Sequence, residues 1–151
     1  MKEKNINSEL EHAPCPFCEI IDGKIDASII RREEGSIAFM DHNGYPLVVT
    51  SKHIVDINSD DFKKSKAMEL VTSIVGPTLK SYDGATGIEL KINLGKPKQE
   101  ILHLHIHIIP TYVDSQKRPK FIFKLSKEVL DDRALRIKTE YDLINQIPRS
   151  G

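Results

Sequence analysis

The chain has 151 residues, enough for one domain with a real core, and at 39% apolar and 29% charged it has an ordinary globular composition. Lys plus Arg and Asp plus Glu stand at 22 each, so no basic excess points to a nucleic-acid groove or an anionic membrane surface. No apolar run approaches the ~18–20 residues that span a bilayer, and the polar start from Met1 to Glu11 lacks the apolar segment of a signal peptide; the cytoplasm is the expected compartment.

Residues 1–13 read as a polar tail and residues 14–151 as a single domain. Pro14 and Pro16 punctuate Cys15-Pro16-Phe17-Cys18, and a short helical turn from Phe17 to Ile21 should stop at Asp22-Gly23. Both cysteines fall in this one CxxC, a spacing that suits either a metal site or a redox pair in a reducing compartment. Short β-type runs follow at Ser28–Arg32, Ser36–Met40 and Leu47–Thr50, separated by Glu34-Gly35 and Asn43-Gly44, which are hairpin signals.

Asn58, Ser59 and Asp60 offer caps for a helix whose Ala67, Leu70, Val71, Ile74 and Val75 form one apolar stripe. Gly76-Pro77 should end or kink that helix. Two more strands are expected at Ile88–Leu94 and Leu102–Ile109, then an edge segment at Phe121–Leu125 and a C-terminal helical extension from Ser126 to Ile144. The pattern predicts an α+β domain, a mostly antiparallel five-stranded sheet with a main helix on one face.

The segment Leu102-His103-Leu104-His105-Ile106-His107-Ile108-Ile109 holds half of the six histidines. Strand side chains alternate, so the three histidines would share one face, roughly 6–7 Å apart, with Leu104, Ile106 and Ile108 on the other. Such a stripe suits two chemistries: three imidazoles can ligate a metal, as in a metal-dependent hydrolase, or one neutral imidazole can act as a nucleophile toward phosphorus.

The run His103-Leu104-His105-Ile106-His107-Ile108-Ile109-Pro110 resembles the signature of the histidine-triad (HIT) superfamily. Other segments align with that family in order: Cys15-Pro16-Phe17-Cys18-Glu19-Ile20-Ile21, Ala38-Phe39-Met40-Asp41, Leu47 to His53, and Asn93-Leu94-Gly95 followed by Gln99. The resemblance covers residues 14–111 and implies a homodimeric α+β fold that binds nucleotides, with no nucleic-acid or membrane partner. By it His105 is the nucleophile, forming a nucleotidyl intermediate, and His107 neutralises phosphate oxygens and handles the leaving group's proton.

The same resemblance gives Phe17, Ile20 and Phe39 to a base pocket, Asp41 to the ribose hydroxyls, and Asn93 and Gln99 to the phosphate. It makes Cys15, Cys18, His53 and His103 the ligands of a structural zinc, and no metal is needed for the phosphoryl chemistry. The implied activity is hydrolysis or transfer from a nucleoside phosphoramidate or dinucleoside polyphosphate; the alternative is a nucleotide-binding protein of the same fold with little turnover. The chain departs from the family pattern where the segment between Asn93 and the triad is one residue short. Lys98 replaces a common Gly, Glu100 a common Ser or Thr, Tyr45-Pro46 a Gly-His element, and Thr111 a common Arg.

Overall fold

A computed structural model describes residues 15–120 and 124–146. Helix α1 (Pro16–Ile21) begins with proline in its first turn, where a missing N–H costs nothing, and the Cys15 sulfur caps it by accepting from the Cys18 amide. Three strands follow as a meander, β1 (Ile29–Arg32), β2 (Ser36–Met40) and β3 (Pro46–Thr50), with the turns the two glycine-containing separators predict. Strands β4 (Gly87–Ile92) and β5 (His105–Thr111) complete an antiparallel sheet in the order β1-β2-β3-β5-β4.

The expected single helix after Ser59 is two. Helix α2 (Asp60–Ser65) starts on the Ser59 hydroxyl, which accepts from the Phe62 amide at 3.2 Å. It stops because Lys66 adopts a left-handed backbone, φ 56°. Ser65 secures that break: its hydroxyl donates to the Phe62 carbonyl and accepts from the Ala67 amide that opens helix α3 (Ala67–Ser81). Helix α3 then runs through Gly76-Pro77 rather than ending there. The interior proline costs ~3 kcal/mol, but the same helix buries Leu70, Val71 and Ile74 at roughly 1.5–3 kcal/mol each, and Pro77 is itself buried.

Helix α4 (Lys127–Gln146) confirms the C-terminal helix and packs beside α3 on the same side of the sheet. Their shared core contains Val48, Ile106 and Ile108 from the strands with Ile74 and Ile137 from the helices. The opposite face carries a smaller cluster: Phe17 of α1 with Ile37, Phe39, Leu47 and Val49. Of the edge segment expected at Phe121–Leu125, residues 121–123 lie outside the described residues, and Lys124 and Leu125 are not strand. The N-terminal tail also lies outside them. Among the described residues no helix is long and apolar enough to cross a membrane.

Gly35, at the β1–β2 turn, faces the chain reversal at Ser65 so closely that an added Cβ would stand 2.6 Å from the Ser65 carbonyl oxygen. Backbone cannot swing aside as a long side chain can. Gly35→Ala should therefore destabilise the fold by about 1–3 kcal/mol, seen as a lower urea midpoint. An unchanged midpoint would show that the two turns are not locked together.

Candidate functional site

Strand β5 lies between β3 and β4, so its side chains are flanked on both sides. Ile106 and Ile108 point into the helix-side core, and His105 and His107 occupy the other face with Leu47 and Val49 of β3. The strand begins at His105, three residues later than the sequence predicts. His103 sits just before it in irregular backbone, where its amide bonds to the Ile101 carbonyl. Its ring still lies on the triad face, edge-on to Phe17 at 5.8 Å and against the two cysteines, while Leu104 enters the helix-side core, so the alternation extends past the start of the strand.

His105 is held in one tautomer. Its Nδ1 lies 2.7 Å from the His103 carbonyl oxygen, which can only accept, so Nδ1 carries the proton and the lone pair is on Nε2. No described residue bonds Nε2. Burial lowers the imidazole's pKa below its ordinary value, so the ring is neutral at pH 7. The His107 ring stands 5.0 Å from that of His105, and burial, then His105 and Lys91, lower its pKa to about 4. The Phe17 ring meets His105 edge-on at 5.0 Å and Phe39 at 5.8 Å, forming an apolar wall beside the imidazole. Ile20 packs on the same cluster.

The structure brings Cys15, Cys18, His53 and His103 together, with their ligand atoms all within 4.8 Å of one another. Sulfur-to-Nδ1 separations of 3.3–3.5 Å link Cys15 to His103 and Cys18 to both histidines. A tetrahedral ion held at usual thiolate and imidazole bond lengths needs such atoms roughly 3.5 Å apart, so two sulfurs and two nitrogens fit a four-coordinate ion. The Nε2 of His103 donates to the Thr50 carbonyl at 2.7 Å, leaving Nδ1 unprotonated toward the cysteines. Burial, and then Cys15, push the Cys18 thiol up to about 11, so taking a cation displaces a proton. Thr50 was not singled out from sequence; its signal is a hydroxyl residue closing an otherwise apolar strand.

Asp41 follows β2 and opens the 41–45 turn. One carboxylate oxygen accepts from the amides of Asn43 and Tyr45, at 2.9 and 3.0 Å, and burial raises its pKa above the usual value against those bonds. The turn is tied down from two other elements: Tyr82, after α3, donates to the Gly44 carbonyl, and the Leu125 amide to that of His42. These anchors too were missed in the sequence, because nothing local marks a contact 38 residues away.

Gln99 is buried, and its Oε1 accepts from the Gly95 amide at 2.8 Å. Its amide nitrogen is buried without a partner among the described residues, an orphaned donor on the segment that leads to the triad strand. Asn93 is half-buried just past β4, whereas Lys98 and Glu100 are exposed. A separate surface cavity lies by the start of α3, floored by Ile54 and Leu70 of the helix-side core. It holds no histidine or cysteine, and its lysines are balanced by glutamates and an aspartate.

Residues 22–114 match the sequence model of the HIT domain family. An uncharacterised HIT-like protein of Mycoplasma genitalium is 32% identical over 135 residues, 86% of this chain and 92% of the relative. The fold resembles that of a hypothetical histidine triad nucleotide-binding protein from Sulfolobus tokodaii, with TM-score 0.76 and 25% identity over 87% of this chain and 95% of that one. A zinc-bound histidine triad family protein from Mycobacterium smegmatis shares the fold at TM-score 0.69 and 21% identity, over the same shares of each chain.

The four-ligand group gives a direct expectation. Protein purified without chelator should carry about one metal ion per chain, and Cys18→Ser should lose it and melt several degrees lower, since an ion bound only by the folded state stabilises that state. Elemental analysis showing equal metal in both proteins, or none in the parent, would overturn this reading of the cluster.

Proposed function

This chain belongs to the HIT domain family, and from that premise we propose that it is a nucleotidyl hydrolase or transferase in which His105 attacks phosphorus. The observation that carries the reading is the fixed tautomer of His105: the proton is held on Nδ1 by the His103 carbonyl, burial favours the neutral ring, and Phe17 packs edge-on against it. A lone pair fixed in direction loses little freedom on attack, which is what positioning contributes to such a step.

The base stacks against Phe17, Ile20 and Phe39, and the ribose hydroxyls bond to Asp41, whose turn is already immobilised. His105 Nε2 forms a bond to the α-phosphorus as the bond to the leaving group breaks. The approaching phosphate raises the affinity of the second ring, His107, for a proton, and His107 passes that proton to the departing group. Water then attacks phosphorus, His107 takes the proton, and the nucleoside monophosphate leaves His105. Gln99 supports this reading: with Oε1 fixed on Gly95, its unpartnered NH2 end is oriented to donate to phosphate oxygens, and Asn93 assists from the end of β4.

The leaving group is an amine or a phosphate chain. We read the ion of the four-ligand group as structural zinc, matched to its two thiolates and two imidazoles. It lends rigidity to the segment before β5. We also propose a homodimer paired through α3 and β4: β4 is an edge strand, and Leu90 on its helix side is 45% exposed beside the half-buried Ile88 and Ile92. No transmembrane or nucleic-acid role is proposed for it, and the cytoplasm is the proposed compartment.

Light scattering at micromolar concentration should give a mass near twice 17.1 kDa; a monomer would remove the dimer from the proposal. His105→Ala should abolish turnover of adenosine phosphoramidate or diadenosine polyphosphate, a loss of at least about 10³-fold, while AMP still binds. Acid-quenched mass spectrometry of the wild type should find a nucleoside monophosphate on the peptide bearing His105. Turnover by His105→Ala at the parental rate would sink the mechanism, and tight binding with no parental turnover would make the protein a nucleotide-binding relative instead. The free-enzyme acid limb of kcat/KM should lie below the ordinary imidazole value of ~6.5, because burial disfavours the protonated, non-nucleophilic ring.

A further inference from the structure

The sheet register lines up one row of side chains across the strands on the triad face. Phe39 of β2 pairs with Leu47 of β3, Leu47 with His107 of β5, and His107 with Lys91 of β4. Adjacent strands lie about 4.8 Å apart, so His107 stands roughly 10 Å from Phe39 and Lys91 roughly 5 Å beyond it. Ile92, the next residue, pairs with Ile106 and packs into the helix-side core, which confirms that Lys91 extends from the triad face. Lys91 is exposed and forms no ion pair among the described residues.

We propose that Lys91 is a specificity residue whose ammonium receives the phosphate that follows the α-phosphate, so the site favours nucleotides extended by further phosphate over those with an uncharged leaving group. The inference rests on the nucleotide reading above. With the nucleoside at Phe39 and the phosphorus at the paired histidines, whatever lies beyond phosphorus passes over β4. His107 handles the departing group in that reading, and Lys91 is the cross-strand partner of His107.

The row holds no other fixed cation, since Phe39 and Leu47 are apolar and the half-buried His107 has its pKa lowered to about 4. A leaving group of the amine class needs only a proton; one of the phosphate class also needs its charge met, and Lys91 is placed for that. The Lys91 charge already acts on His107, where it is one of the smaller causes of the lowered pKa. Other charged groups near this end of the sheet are Glu89, two residues back on the same face, and Lys96, Lys98 and Glu100 on the following loop. Lys96 is committed to the Glu100 carbonyl at 3.5 Å.

Calorimetry with the full chain, using AMP and the uncleavable α,β-methylene analogue of ADP, tests this without turnover. The parent protein should bind the diphosphate analogue about tenfold more tightly than AMP, the effect of one charge met at short range near a protein surface. Lys91→Met should bring that ratio close to one with AMP affinity nearly unchanged, Lys91→Arg should keep it, and Lys138→Met on α4 should not alter it. The proposal is overturned if the parent shows no preference, if Lys91→Met keeps the ratio, or if it weakens both ligands alike. A parent that binds neither nucleotide overturns the underlying reading, a result distinct from AMP binding that ignores Lys91.

Discussion

The contact on which the site depends is the one between the His105 ring and the His103 main chain. His103 contributes at three points: its carbonyl accepts from His105 Nδ1, its own Nδ1 faces the two cysteines, and its Nε2 donates to the Thr50 carbonyl. A rotation of its backbone would release the His105 proton from its acceptor and scramble the tautomer. The cysteine–histidine group and the Thr50 bond therefore hold the lone pair of a neighbouring residue in direction, although neither touches it.

Burial does the electrostatic part of the work. Both β5 histidines have lowered pKa values chiefly because the sheet face and Phe17 keep water from them. Neutral rings suit attack at phosphorus but give the site little charge of its own with which to attract an anion. On the reading proposed above, the Gln99 amide, whose oxygen is fixed on the Gly95 backbone, supplies a donor in place of a buried cation, while Asp41 is held as an acceptor by its own turn. That turn hangs from the buried Tyr82 hydroxyl, and the Arg133 guanidinium of α4 lies 4.4 Å over the Tyr82 ring. The C-terminal helix is thus linked to the Asp41 turn through Tyr82.

What the sequence made legible was periodic or local. Alternation placed Ile106 and Ile108 opposite His105 and His107, the glycine-containing separators located the meander, and the CxxC with two distant histidines assembled as the resemblance implied. What it concealed was set by contacts distant in sequence. The left-handed Lys66 sits at a chain reversal held by the Ser65 hydroxyl and closely approached by Gly35, and Pro77 is tolerated because the helix around it is buried on the core. Period-two reasoning held at His103 as well, whose ring shares Phe17 with His105 while Leu104 enters the helix-side core, although the regular strand starts only at His105. Lys91 reads in sequence as one more surface charge on a strand, and only the register makes it a neighbour of His107.

The site then has two axes, and they do different jobs. On the reading proposed above, His103, His105 and His107 set the rigid anchor, the attacking ring and the second ring at two-residue steps along β5 and the segment before it. Across the strands, Phe39 and Leu47 form the apolar end, His107 the middle and Lys91 the charged end, and on the same reading the phosphorus lies at His107. The axes meet at His107 alone. A substitution on β4 therefore alters what lies beyond phosphorus without passing through the His103–His105 contact, and one on β2 alters the apolar end with the same independence. On the reading proposed here, the sheet separates the chemistry, set along one strand, from the choice of ligand, set across several. That separation explains how a chain can depart from its family's pattern at Lys98 and Glu100, both on the exposed loop after β4, while the neutral, directed imidazole stays in place.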